Sequence, residues 1–208
     1  LPFCIITPSY NNVKSGLYLR NLDSVFMQDY RNYHVVYIDD CSPDKTGEFV
    51  KKYLEERNIP KKHIEVIINK ENKKALYNIH LGIHKYCKSG EIVAIIDGDD
   101  SFIGRNILAL FNAVYQRDKA AMAYSNFLTI HNNDRTELGF CHDIDKDMFE
   151  QNTFRNSWDL PGTHLMTFYS DLFKKIKISD LTYANGTFFD YAYDRAILTP
   201  LLEMAYPR

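Results

Sequence analysis

The stretch Ile92-Val93-Ala94-Ile95-Ile96-Asp97-Gly98-Asp99-Asp100 decides the fold. Five consecutive apolar residues, mostly β-branched, read as a strand buried on both faces. The run stops abruptly on three carboxylates within four residues. Such carboxylates repel one another, so a fold keeps them together where a cation or hydrogen-bond donors neutralise them. Gly98 is expected to let the backbone turn sharply, so that the carboxylates on either side face one point. Hard oxygen ligands suit Mg2+ or Mn2+, shared with phosphates. A solvated acidic loop is the bland alternative.

On the N-terminal side of this strand the hydrophobic period alternates between two and 3.6. Phe3-Cys4-Ile5-Ile6-Thr7 reads as a strand stopped by Pro8, and Leu17, Leu22, Val25 and Phe26 recur at helical spacing between residues 15 and 28. His34-Val35-Val36-Tyr37-Ile38 is a second strand and runs into the turn-rich Asp39-Asp40-Cys41-Ser42-Pro43-Asp44. Phe49, Val50, Tyr53 and Leu54 mark a helix, residues 64–68 a strand, and residues 75–86 another helix. This βαβ rhythm predicts a mainly parallel sheet flanked by helices, with ligands at the carboxyl ends of the strands, where both acidic turns lie.

On the C-terminal side, residues 107–115 read as a helix and 121–127 as a strand, and then the rhythm breaks. Residues 129–140, around Asn132-Asn133-Asp134, read as a hairpin. The remainder is loop-rich, with a strand at 165–169 and a helix near 191–205. That helix carries Asp194 at its head. An acid there is often only a partner for the helix dipole.

At 208 residues the chain is long enough to bury roughly 70% of its unfolded surface as one domain. Lys plus Arg is 25 and Asp plus Glu 27, a net charge of −2 that argues against a nucleic-acid binder. No apolar run approaches the roughly 18 residues of a membrane span. The four cysteines, at 4, 41, 87 and 141, show no CxxC pairing and read as reduced and intracellular. His80, His84 and Cys87 share one helix face at zinc-ligand spacing, but Leu76, Ile79 and Ile83 define the buried stripe with the histidines at its margin, so packing is the preferred reading. GxxxxGK[ST], GxGxxG and GxSxG do not occur, which excludes a P-loop, a dinucleotide fingerprint and a nucleophile elbow.

In order along the chain, Ile6-Thr7-Pro8-Ser9-Tyr10-Asn11, the helix through Leu22-Asp23-Ser24-Val25 to Gln28, Val36-Tyr37-Ile38-Asp39-Asp40-Cys41-Ser42, Asn72 with Asn78, and Gly90-Glu91-Ile92-Val93 into Asp97-Gly98-Asp99-Asp100 resemble the family 2 glycosyltransferases of GT-A fold. The resemblance covers about half the chain. It implies a Rossmann-like, mainly parallel sheet with a loop-rich acceptor-side part. It further implies an inverting, metal-dependent transfer from a UDP-sugar to an acceptor hydroxyl. Residues 1–128 would be the nucleotide-sugar-binding part and 129–208 the acceptor side of a single domain.

By that resemblance Thr7, Pro8, Tyr10, Asn11, Asp39, Asn72, Lys74, Asp97 and Gly98 bind the nucleotide-sugar. Tyr10 would stack on the base, Asp39 accept from the uracil, and Asp97 approach the ribose. Asp99, with Asp97 and Asp100, would hold Mn2+ or Mg2+ on the diphosphate, and Asp194 would be the general base. Lys74 and Tyr77 stand where the family often has a Gly and an Arg, so Lys73 or Lys74 would supply the cationic contact. Trp158, beside Asp159, Pro161 and Gly162, and His164 are acceptor-side candidates. The expected partners are the UDP-sugar, a glycan, lipid or protein acceptor and a second copy of the chain. The expected location is the cytoplasm, and the chain reads as trimmed at both ends. Two rivals remain from the residues: a haloacid-dehalogenase-type phosphotransferase using the acidic strand end, and a non-catalytic sugar-nucleotide-binding module.

Overall fold

The computed structural model describes residues 1–131, 135–157, 161–162 and 164–205. In chain order its elements are β1 (Phe3–Ser9), α1 (Leu17–Phe26), β2 (Tyr33–Asp39), α2 (Thr46–Glu56), β3 (Ile64–Ile68), α3 (Ala75–Tyr86), β4 (Ile92–Ile95) and α4 (Ile107–Asp118). They continue with β5 (Met122–Tyr124), β6 (Leu128–Ile130), β7 (Thr136–Leu138), α5 (Lys146–Gln151), β8 (Met166–Tyr169), α6 (Ser170–Phe173) and α7 (Tyr193–Ala205).

Six strands form one sheet in the order β3-β2-β1-β4-β8-β5. β1 runs parallel to β2 and β4, and β2 parallel to β3, so the carboxyl ends of all four lie on one edge. β8 is antiparallel to both β4 and β5. A strand from the loop-rich second half therefore completes the sheet of the first half. Nothing in the hydrophobic period announces this insertion, because Leu165–Tyr169 reads the same whichever neighbours it finds.

Alternation along β1 explains its unbroken apolar run. Phe3 and Ile5 face one layer, with Leu22 and Val25 of α1, Val50 and Tyr53 of α2, and Leu108 and Phe111 of α4. Cys4 and Ile6 face the other, with Leu76, Ile79 and Ile83 of α3 and Ile197, Leu198, Leu201 and Leu202 of α7. With both faces covered, no strand position in the centre needs to be polar. β6 and β7 pair as the expected hairpin, outside the main sheet; its tip, Asn132-Asn133-Asp134, lies outside the described residues. Among the described residues no helix is long and apolar enough to cross a membrane.

One sequence reading is corrected here. Cys4 and Cys87 form a disulfide, their Cα atoms 5.8 Å apart, and only Cys41 and Cys141 are free. The crossover through α3 brings the end of that helix back against the start of β1, a closure of 83 residues that spacing patterns cannot reveal. The bond also removes Cys87 from any ligand set with His80 and His84. Those imidazoles stack on each other, centroids 4.2 Å apart, and pack against Phe173. Burial lowers the His80 pKa to about 4, so the pair is a neutral packing element.

Candidate active site

At the carboxyl edge of the sheet the chain leaves β1 through Tyr10 and Asn11, β2 through Asp40, and β4 through Asp97. A cleft opens between them, lined by Tyr10, Asp40, Asn78, Asp97 and Asp99. Tyr10 is 48% exposed, its ring free to take a stacked ligand. Asn11, in the left-handed region at φ 59°, donates its backbone N–H to Ser42 Oγ at 2.9 Å and so ties the β1 loop to the β2 loop. Thr7 and Pro8 build the floor: Thr7 is fully buried, and the Pro8 carbonyl accepts from Gly98 N–H at 2.9 Å.

The two acids after β2 take different roles. Successive side chains on a strand point to opposite faces, and Asp39 turns toward α2, where a Cβ on Gly47 would lie 3.0 Å from its own Cβ. It is 1% exposed, and its carboxylate accepts from the hydroxyl and the N–H of Ser42. Burial raises its pKa. Asp39, expected from the resemblance to accept from the base, is thus engaged on the α2 side, and the acid of the pair that lines the cleft is Asp40. Its carboxylate accepts from the backbone N–H groups of Lys73 and Lys74 and from Asn69 Nδ2, each at 2.8 Å, and its carbonyl accepts from Asn72 Nδ2 at 3.2 Å. Asp40 thus organises the loop before α3. Lys74, at φ 69°, and Asn72 contribute through this framework, while the Lys73 ammonium pairs with Glu71 and lies 5.6 Å from the Tyr77 ring centroid. Asn78 is fully buried; its Oδ1 accepts from Asn69, and its Nδ2 has no partner among the described residues, leaving a donor beside the cleft.

The acidic turn after β4 is held from two sides. Asn21, buried in α1, donates both Nδ2 hydrogens, to the carbonyls of Asp97 and Asp100, each at 2.9 Å. Gly98 is required for close approach and not for a positive φ. A Cβ there would stand 2.5 Å from Ser9 Cβ and 3.0 Å from Asn12 Nδ2.

The Asp97 carboxylate accepts from the Tyr193 hydroxyl through Oδ2, while Oδ1 is buried without a partner among the described residues. Burial pushes its pKa up to about 7, the negative charges of Asp100, Asp99 and Asp194 add to this, and the Tyr193 bond opposes it. Asp100 is also raised, mainly by burial, and lies 3.5 Å from His164 Nε2. Ligand atoms of Asp97, Asp100 and His164 all fall within 4.8 Å of one another. The metal trio expected from the sequence was Asp99, Asp97 and Asp100. Among the described residues the atoms within that distance belong to Asp97, Asp100 and His164, while Asp99 is exposed on the rim. There it also borders a second, more apolar cavity of about 450 Å3, lined by Arg20, Phe102, Phe127 and His164.

Asp194 sits in the first turn of α7, which the chain enters through Ala192 at φ 51°. Asp194 Oδ1 accepts from Arg195 N–H at 2.9 Å. Asp190, four residues before Asp194 and a second acid near the head of α7, accepts from the Tyr183 hydroxyl at 2.8 Å. Trp158 lies outside the described residues. Sequence reading missed Tyr193 and Asn21 as site builders, and placed Asp40 at the ligand edge without a role of its own. Tyr193 was within reach, since it precedes Ile197 by one helical turn and so shares the buried face of α7.

The comparisons with known proteins concern the family and the fold. The model of the family described as Glycosyl transferase family 2 matches residues 4–189. The glycosyltransferase GlyG of Streptococcus pneumoniae is 24% identical over 194 residues, 89% of this chain and 61% of that one. GlyA of the same organism is 32% identical over 126 residues, 59% of this chain and 17% of that one. S. aureus TarS 1-349 superposes with a TM-score of 0.69 at 21% identity over all of this chain and 57% of that one, and TarS has also been solved with UDP and with UDP-GlcNAc. The mannosyltransferase PcManGT of Pyrobaculum calidifontis, solved with GDP-Man and Mn2+, gives 0.59 at 22% identity over 83% of this chain and 46% of that one. At these identities the structural likeness establishes the fold, a mostly parallel sheet flanked by helices as in TarS. The chain spans roughly three fifths of the length of GlyG and of TarS 1-349.

Proposed function

Because the chain belongs to glycosyl transferase family 2, we propose that it carries the catalytic centre of an inverting glycosyltransferase that moves a sugar from a UDP-sugar to an acceptor hydroxyl. The observation that carries the reading is the meeting of α7 with the acidic turn: Tyr193 donates to Asp97, and the neighbouring Asp194 is near enough for its charge to raise the Asp97 pKa. The UDP and UDP-GlcNAc complexes of TarS support the donor class. Family membership sets aside the phosphotransferase rival.

In this reading the uracil stacks on Tyr10. Asp40 lies at the base edge as acceptor and Asn78 Nδ2 as donor, which suits the N3–H and O4 of uracil. Asp97 lies toward the ribose, and the backbone of residues 72–74, shaped by Asp40, follows the diphosphate. Asp97, Asp100 and His164, with Asp99 at the rim, would hold Mn2+ or Mg2+. The fit rests on the orphaned, buried Oδ1 of Asp97 and on the hard-oxygen and imidazole donors gathered within 4.8 Å. Such an ion stabilises charge on a departing diphosphate. Asp194 takes the proton of the acceptor hydroxyl while that oxygen bonds to the anomeric carbon and the carbon–phosphate-oxygen bond breaks, its electron pair leaving with UDP. A carboxylate on a packed helix start is aimed by the helix, as a base requires.

The acceptor enters over residues 143–163, and the division at residue 128 separates donor and acceptor parts of one domain. A homodimer and a cytoplasmic location complete the reading, and sedimentation of the purified chain checks the former. The deciding experiment is a UDP-sugar hydrolysis and transfer panel with Mn2+ and with EDTA, run on wild type and Asp194→Asn. Transfer lost in the variant with UDP affinity intact is expected. Full transfer in Asp194→Asn overturns the base assignment, and UDP binding without any turnover in the wild type favours the binding-module rival.

A further inference from the structure

At the opposite edge of the sheet from the nucleotide cleft, four side chains of metal-binding type converge from four segments of the chain. Cys4 lies on β1, about 13 Å along the strand from Pro8 at the rise of an extended chain. His34 is its direct register neighbour on β2. Glu91 immediately precedes β4, and Cys87 caps the end of α3. The Cys4 sulfur, a His34 ring nitrogen and a Glu91 carboxylate oxygen all lie within 4.8 Å of one another, and Cys87 is bonded to Cys4. Glu91 is 5% exposed, with Oε2 3.1 Å from His34 Nε2 and accepting from Lys88 N–H at 2.7 Å.

We propose that this cluster is a redox-gated zinc site, closed as a disulfide when oxidised and able to take one Zn2+ through Cys4, His34, Cys87 and Glu91 when reduced. Two thiolates, one imidazole and one carboxylate form a donor set that suits Zn2+ and disfavours Mg2+. The geometry is close to what that ion needs. Zinc bond lengths of about 2.0–2.3 Å give tetrahedral edges of about 3.3 Å between nitrogen and oxygen and about 3.8 Å between two sulfurs. The His34–Glu91 edge already stands at 3.1 Å. The Cys4 sulfur lies within 4.8 Å of both, a distance that small side-chain movements close, and the two sulfurs must separate, which breaking their bond permits.

The chemistry balances with a dithiol as reductant. The dithiol gives two electrons and two protons to the Cys4–Cys87 bond, becomes a disulfide itself and leaves two thiols. Zn2+ then displaces both thiol protons. The resulting site carries one net negative charge, and the Lys174 ammonium, bonded to the Cys87 carbonyl at 2.6 Å, stands beside it. Bound zinc would tie β1, β2, the end of α3 and the start of β4 together, where the disulfide joins β1 to the end of α3, so the fold keeps a brace at this edge in either redox state.

The test uses the whole chain, oxidised and dithiol-reduced, with the thiol count verified in denaturant. Each form is equilibrated with Zn2+ under excess Mg2+ and desalted, and the retained zinc is measured; Co2+ then replaces Zn2+ for absorption spectroscopy. The reduced chain is expected to retain one zinc and to show a cobalt–thiolate charge-transfer band, and the oxidised chain neither. His34→Ala and Cys87→Ser should each weaken retention tenfold or more, while Asp100→Asn leaves it unchanged. No thiolate band from the reduced wild type overturns the proposal, as does zinc lost only in Asp100→Asn, which places the ion at the nucleotide cleft. Should Cys87→Ser fail to fold, His34→Ala and the wild-type cobalt spectrum decide.

Discussion

Replacing Asp97 by Asn should make the metal-free protein more stable, and the gain should grow with pH. The wild-type carboxyl is held at about 7 in the folded chain, against an ordinary value of 3.8, chiefly because it is buried and secondarily because Asp100, Asp99 and Asp194 face it. A folded-state pKa above the unfolded one means that the folded chain holds a proton the unfolded chain has lost. The stability this confers is fully present below pH 3.8 and is lost as pH rises through about 7. At about 1.36 kcal/mol per pH unit, the loss amounts to about 4 kcal/mol by pH 8. Asn is neutral at every pH and keeps an oxygen for the Tyr193 hydroxyl, so the variant escapes that slope.

Urea melts in EDTA at pH 5, 6, 7 and 8 provide the assay. The two proteins should differ little near pH 4 and diverge toward about 4 kcal/mol at pH 8, worth roughly 10 °C in Tm for a chain of this size. Mn2+ should raise the wild type at pH 8 and leave Asp97→Asn unmoved. Parallel pH profiles would refute the reasoning, because they would mean that Asp97 is ionised and satisfied without a cation. A variant less stable than wild type at pH 8 would refute it too, and would make the carboxylate a structural acceptor.

Tyr193→Phe removes the Tyr193 donor to Asp97 Oδ2; a lost hydrogen bond to a charged group is worth about 1.5–3 kcal/mol, so kcat should fall by roughly 10- to 100-fold with KM for donor less affected, and kinetics with UDP titration will show whether it does. Gly98→Ala drives a methyl group against Ser9 and Asn12, so urea melts should show about 1–3 kcal/mol of lost stability and calorimetry a loss of UDP binding; unchanged values would mean that β1 and the acidic turn are not locked together. Asp40→Ala should cost more UDP affinity than Asp39→Ala, and competition among UDP, CDP and GDP should favour UDP in the wild type; GDP binding as tightly as UDP would reject the proposed base edge.

The sequence carried the strands and helices of the first half because each has one period and one job. β3 and α3 fall where the pattern puts them, at 64–68 and 75–86, since an apolar run bounded by polar turns leaves no alternative. The two acidic turns were legible for the same reason: a carboxylate cluster at a strand end has few structural explanations. What escaped were relations that depend on direction and closure. Asp39 and Asp40 are equivalent as letters, and only the pleat decides which faces α2 and which the cleft. The Cys4–Cys87 bond required the crossover to be closed before either cysteine had a partner.

His164 shows the same limit from the other side. Its neighbours in sequence gave it the look of an acceptor-side residue, and it does border the apolar cavity beyond the acidic turn. Yet β8 inserts antiparallel beside β4, pairing Met166 with Ile95, and this brings His164, two residues earlier, to the carboxyl end of β4 beside Asp100. Two segments separated by 64 residues thus share one site through strand pairing alone. The imidazole belongs both to the candidate metal cluster and to the lining of the second cavity, so under the proposed function one residue would face the metal and the acceptor alike. A substitution there should therefore disturb metal affinity and acceptor KM together, whereas Asp99, exposed on the rim, should shift them separately.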